Sequence, residues 1–349
     1  VCSARPTHNR VELMVFSHFA QRREMKRRIR CCCDPCEGLV DPSLMMEPSR
    51  AVVLKISPSP IYNNLTSSEE GCFTFAHKED VVVARALGAV KLTQAPSNTA
   101  LVQSVRADSI RGRSVVVVTN KLATTIFDFE RDAPLLTIPS DGVDARASTL
   151  LHSFQDLCVV LIGYLSGEVG VYQLQTVDLA MIASSRTPIH GAAVTALACG
   201  VSGTGVSAVS GDVNGDLRFW NDQLQVFASQ GAAGDCVTST VTFGFYVAAA
   251  YGSGTVRLYA AANAELCVSI AAHSRWINAM AYCSSLNLLA TVGEDCLVCV
   301  WSMPTANDRR IQLIKQHVEP NRLLTGVAFH GKLMATAAYD SDYLNTYTL

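Results

Sequence analysis

"HSRWINAMAYCSSLNLLATVGEDCLVCVW", residues 273–301, decides the fold. Three short apolar runs are separated by small polar clusters, and the last run ends on an aromatic residue. Runs of this length, bounded by Ser, Asn, Gly and Asp, read as antiparallel strands and not as an amphipathic helix. His273 stands ahead of the first run, Thr291 lies in the second, Asp295 sits in the tight turn and Trp301 closes the third. Whether one such unit is a hairpin in passing or a module depends on whether it recurs.

It recurs. "VVLIGYLSGEVGVY" ends at Tyr172, "SAVSGDVNGDLRFW" at Trp220 and "VAAAYGSGTVRLY" at Tyr259. With Trp301, each aromatic has a small or acidic turn residue six positions earlier: Ser166, Asn214, Ser253 and Asp295. Weaker copies end at Phe127 and Tyr347, so the anchors are spaced 45, 48, 39, 42 and 46 residues apart. That period suits a four-stranded propeller blade. A seventh strand pair is expected in "GCFTFAHKEDVVVARAL", residues 71–87. Residues 46–349 then divide into seven repeats of about 43 residues. The last repeat stops after its third strand at Leu349, and "AVVLKI", residues 51–56, is expected to supply the missing outermost strand and close the ring.

The chain resembles the WD-repeat β-propeller family. The resemblance implies a hydrogen-bonded set of His273, Thr291, Asp295 and Trp301, in which Asp-to-His contact fixes the loop between blades and the Trp nitrogen finds a buried partner. A degraded set is His190, Ser210, Asn214 and Trp220. The Trp-Asp dipeptide is not intact, since Ser302 follows Trp301 and Asn221 follows Trp220. "IYNNLTS" at 61–67, the stretch 248–281 and "AAYDSDYLNTY" at 337–347 are similar to one group within that family. This implies a single non-enzymatic propeller acting in protein association, with no catalytic residue and no cofactor.

Composition agrees with a large core. Apolar residues make up 49% and charged residues 17%, with a net charge of -2, which argues against a disordered scaffold or a dedicated polyanion binder. The cysteines beyond Cys36, such as Cys158, Cys236, Cys267 and Cys299, are scattered singly in strand-like contexts. They read as reduced thiols of an intracellular protein. The longest apolar run, "LCVVLIGYL", is too short to cross a bilayer as a helix. "RREMKRRIRCCCDPC", residues 22–36, gathers six basic residues and four cysteines. Residues 1–45 are expected to be a disordered extension outside the propeller, with Met45 or Met46 as an alternative start. A structural zinc site would need a second matched Cys pair. None is counted downstream, so no metal is expected.

"GDVNGD", residues 211–216, alternates acids like the start of a calcium loop, but no bidentate acid follows, and a hairpin turn is the better reading. Arg275 and Trp276, just ahead of an inner strand, are candidates for a protein-binding rim on the narrow face. Tyr251, Tyr164 and Tyr339 end the second strands of their blades and are placed in the same candidate face. No role is assigned to His152, Arg257 or Lys91. The expected function is a protein-interaction subunit or adaptor of a larger cytoplasmic, cytoskeletal or ciliary assembly. The alternatives are a signalling or ubiquitin-ligase adaptor reading a short peptide, and a propeller hydrolase, for which no cluster of acids, His or metal ligands is seen.

Overall fold

The computed structural model describes residues 42–85, 90–93, 100–129, 134–152, 157–200, 204–231, 234–305 and 310–349. The basic, Cys-rich stretch 22–36 lies outside the described residues. So do the side chains of Lys91 and His152.

Seven four-stranded antiparallel sheets make the propeller. In chain order their innermost strands are Thr66–Ser67, Val102–Ile110, Ala145–His152, Val194–Cys199, Val237–Phe243, Ile277–Cys283 and Leu323–His330, and these define blades 1 to 7. The middle strands explain the sequence pattern. Arg113–Asn120 of blade 2 and Leu288–Gly293 of blade 6 are buried almost without interruption, because each blade packs on a neighbour through both faces. Such strands carry continuous apolar runs and not a two-residue alternation. The outermost strands, by contrast, are solvated: Met181–Pro188 of blade 3 is exposed at nearly every position.

The core is thus a series of wedges between blades. Between blades 7 and 1, Phe73, Phe75 and Val82 meet Ala335, Ala337 and Leu344. Between blades 5 and 6, Phe243, Leu258 and Val256 meet Ile277, Leu289 and Trp301. Each large apolar side chain so buried contributes about 1.5–3 kcal/mol.

Blade 7 is built from both ends of the propeller sequence. Arg50–Val53 is its outermost strand and pairs antiparallel with Tyr343–Thr348, in a register running from Arg50 opposite Thr346 to Val53 opposite Tyr343. The contribution begins earlier than the expected strand. Met45 bridges to Gln316 on the outer strand of blade 6, and the Met46 N–H donates to the Gln316 carbonyl at 2.9 Å. His317 Nδ1 donates to the Met46 carbonyl at 2.8 Å, and the Met46 side chain is buried between blades 6 and 7. The compact unit runs from Leu44 to Leu349. Among the described residues no helix is long and apolar enough to cross a membrane.

Candidate functional site

The upper face of the propeller is the one at which the inner strands begin. Its loops are held by three different side-chain networks.

In blade 6, Trp301 Nε1 donates to Thr291 Oγ1 at 3.1 Å, and Thr291 Oγ1 lies 2.8 Å from His273 Nε2. His273 Nδ1 lies 2.9 Å from Asp295 Oδ1. Trp can only donate and a carboxylate can only accept, so the protons run one way: Trp to Thr, Thr to His, His to Asp. Burial pushes the Asp295 carboxyl up, but the hydrogen bond from His273, with those from the Ser274 and Leu297 N–H groups, outweighs it and holds it below the ordinary value.

Blade 4 repeats the chain with one change. Trp220 Nε1 donates to Ser210 Oγ at 3.0 Å, and Ser210 Oγ lies 2.8 Å from His190 Nε2. The acid is Asp212 and not Asn214. Asp212 Oδ2 lies 3.3 Å from His190 Nδ1, with both side chains fully buried. Asn214 instead donates its backbone N–H to Asp212 Oδ1 at 2.9 Å, as does Asp216. The "GDVNGD" stretch is therefore a turn folded around one carboxylate, which takes the place at the tip that Asp295 holds in blade 6. Ser210 and His190 with Asp212 have the order of a hydrolytic triad. Their hydroxyl is spent on Trp220 and His190 and reaches no solvent.

Blade 7 carries a variant not visible in the motif. Glu319 stands four residues ahead of its inner strand, as His273 and His190 do in theirs. Its Oε1 accepts from Thr336 Oγ1 at 2.6 Å and from the Tyr347 hydroxyl at 2.9 Å.

Blades 3 and 5 have no such His. The Tyr164 hydroxyl lies 2.8 Å from that of Tyr172, and the Tyr251 hydroxyl 2.9 Å from that of Tyr259. This corrects the placement of Tyr164 and Tyr251 on an interaction face. Both rings are fully buried. Arg186 lies over the Tyr164 ring at 3.7 Å from its centroid, and Arg257 over Tyr251 at 4.9 Å. The rings turn inward because no His fills the space they occupy. Tyr339, at the corresponding strand end in blade 7, is half-buried.

On the upper side, residues 63 and 64 bond to the inner strands of three blades. The inner strands of blades 5, 6 and 7 each slip register at their start, which leaves Thr238, Asn278 and Thr325 as bulge residues. A bulge turns a carbonyl out of the ladder. Asn63 Nδ2 donates to the Thr238 carbonyl, Asn63 N–H to Asn278 and Asn64 N–H to Thr325, each at 2.9 Å. The Asn64 amide is used fully on blade 1: Nδ2 donates to the Ser59 and Ala76 carbonyls and Oδ1 accepts from Ala76 N–H. Two asparagines thereby tie blades 5, 6, 7 and 1.

This seating brings Tyr62 beside Trp276. The rings are parallel to within 9°, with centroids 6.2 Å apart, and both are half-buried. Trp276 also lies flat over Gly252, where a Cβ would meet its ring at 2.9 Å. Arg275 is exposed.

The chain does hold a second C-x-x-C, Cys296 and Cys299, set inside a strand motif. Cys299 is packed in the core between blades 5 and 6, where burial and the nearby Asp295 push its thiol up to about 12. Among the described residues, no group of three or more His, Cys, Asp or Glu could hold a metal ion.

Comparison with known proteins agrees with this construction. A chain of the crystal structure of the mitotic checkpoint complex superposes with a TM-score of 0.71 at 15% identity, covering 89% of this chain and 98% of that one, which shows the fold. Mouse WD repeat-containing protein 54 is 28% identical over 150 residues, 41% of this chain and 45% of that protein. Rat WD repeat domain 54 is 33% identical over 125 residues, 35% of this chain and 36% of that protein. The matched segments thus span less than half the length of either relative. The WDR54 family model matches residues 126–333, from the third strand of blade 2 into blade 7, and on that match the chain belongs to the WDR54 family.

Proposed function

We propose that this chain is a non-catalytic interaction platform, a subunit or adaptor of a larger cytoplasmic or cytoskeletal assembly, and that it meets its partner through the upper face around Arg275 and Trp276. The observation that carries this reading is the contrast at that rim. The polar side chains of the blade-locking networks are buried and spent on one another, whereas Arg275 is exposed beside a half-buried Trp. Trp and Arg at such a position are the residues that most often dominate binding energy. The loop bearing them is already fixed, since Ser274 N–H donates to Asp295 Oδ2 at 2.9 Å. A pre-ordered loop lowers the ordering cost of association.

The test is co-purification at native salt with the unaltered chain, Arg275→Ala and Trp276→Ala. Stoichiometric partners should accompany the unaltered chain and be lost from both variants. If every partner stays bound to both, the upper-face reading is wrong.

A further inference from the structure

The same rim points to the chemistry of what it binds. We propose that Arg275, Trp276 and Tyr62 form a composite site for an extended acidic peptide, with a carboxylate on Arg275 and a flat apolar side chain, proline or aromatic, against the two rings. This rests on the reading of the upper face as the binding face.

Three observations carry it. First, Arg275 makes no hydrogen bond or ion pair with any described residue, and Asp295, which binds the preceding residue Ser274, is already committed. Asp295 Oδ1 serves His273 Nδ1 and the Leu297 N–H, and Oδ2 serves the Ser274 N–H. An exposed guanidinium with no internal counter-ion is complementary to a carboxylate and suited to hold it bidentately. Second, aromatic faces alone could equally take a cation. Arg275 beside them opposes one, so the charge of the ligand is decided by position and not by the rings. Third, Asn63 and Asn64 tie the segment that bears Tyr62 to the inner strands of blades 5, 6 and 7, so the ring pair is held at the rim before a ligand arrives. That geometry suits an extended segment presenting one flat side chain.

The site is also conditional on the ring. Tyr62 precedes blade 1 and Trp276 opens blade 6, so the two rings meet only when Asn63 and Asn64 are seated.

The protein carries its own reporter. Of its three Trp residues, Trp220 and Trp301 are buried in blade networks, which leaves Trp276 as the half-buried one. Two synthetic peptides of equal length, one with a Glu-Pro-Phe centre and one with Lys-Pro-Phe, are titrated into the full chain by fluorescence and calorimetry. The acidic peptide should shift the Trp emission saturably and bind at least about tenfold more tightly than the basic one. Arg275→Glu should reverse that order, and Tyr62→Ala should weaken the acidic peptide about fivefold or more with an unchanged unfolding midpoint. Equal binding of the two peptides, binding of neither, or an unreversed order in Arg275→Glu overturns the proposal. If peptides fail while Arg275→Ala and Trp276→Ala still lose the co-purified partners, the platform stands and only the acidic-peptide chemistry falls.

Discussion

Blades 4 and 6 and blades 3 and 5 solve the same packing problem with different chemistry, and they alternate around the ring. The even pair runs a chain from Trp through a hydroxyl to a His, which hydrogen-bonds its carboxylate in blade 6 and faces one at 3.3 Å in blade 4. The odd pair closes with two tyrosine hydroxyls. The two kinds are complementary and not merely different. Gly254, in the turn of blade 5, has φ +85, and its carbonyl accepts the His273 N–H at 3.0 Å. A Cβ there would lie 2.1 Å from the His273 carbonyl oxygen. Gly167 of blade 3 has the same relation to His190 of blade 4, with φ +86. A positive-φ turn in one blade is the seat for the loop of the next, and Cys296 of blade 6, at φ 66, seats Glu319 of blade 7 in the same way through a 2.8 Å bond from the Glu319 N–H.

The largest expected effect comes from breaking an even blade. His273→Ala leaves Asp295 charged and largely buried without its main partner, and should cost about 3–5 kcal/mol in urea unfolding. An indistinguishable midpoint would show that the network holds no more than the odd pairs do. Next is the seat itself. Gly254→Ala meets both the positive φ and the His273 carbonyl, and about 2–3 kcal/mol should be lost. A neutral result would mean that the turn can shift and that the two kinds of blade are independent.

The pH dependence separates the pairs at opposite ends of the scale. Asp295 and Asp212 are held below their ordinary values in the fold, in each case against burial, by the neighbouring His and backbone N–H groups. Their contribution is therefore complete above the unfolded carboxyl pKa of about 3.9 and is lost as pH falls further, through the folded value. Tyr164 and Tyr251 are raised by burial and then by the paired hydroxyl. Their contribution is complete below about pH 10 and is lost as pH climbs above it. Asp295→Asn should flatten only the acid limb of a stability profile, and Tyr251→Phe only the alkaline limb. At neutral pH, Tyr251→Phe should have the smallest effect of the set, about 1 kcal/mol, because it removes one hydrogen bond and keeps the ring. A loss as large as that of His273→Ala would reverse the ranking of the two kinds of blade.

The period, the seven blades and the N-terminal strand that completes the last one were legible because local turn chemistry and anchor spacing repeat. What escaped depends on which way a side chain faces or on partners far along the chain. Counting six residues back from Trp220 reaches Asn214, but in the folded turn the carboxylate of Asp212 folds over that position. The inward turn of Tyr164 and Tyr251 had a readable signal, a second Tyr eight residues on with no His ahead of the blade. Glu319 stood where the His should be, but could be aligned only once the strand boundaries were known. Asn63 and Asn64 had no local signal at all, since their partners include Thr238 and Thr325.

The seal of the ring also sets a timetable. Ser49 bonds across 297 positions to Thr346, so the first-made strand of the propeller waits for the last-made one. At ribosomal rates of about 5–20 residues per second that wait is roughly 15–60 s. Throughout it the edge of Arg50–Val53 has no partner, and Asn63 and Asn64 wait for blades 5 to 7 to be made. Folding on the ribosome should accordingly leave residues 49–64 protease-sensitive until Tyr343–Thr348 has emerged, a state visible by pulse proteolysis of stalled chains. Protection before Tyr343–Thr348 emerges would show that the early segment has a temporary partner of its own.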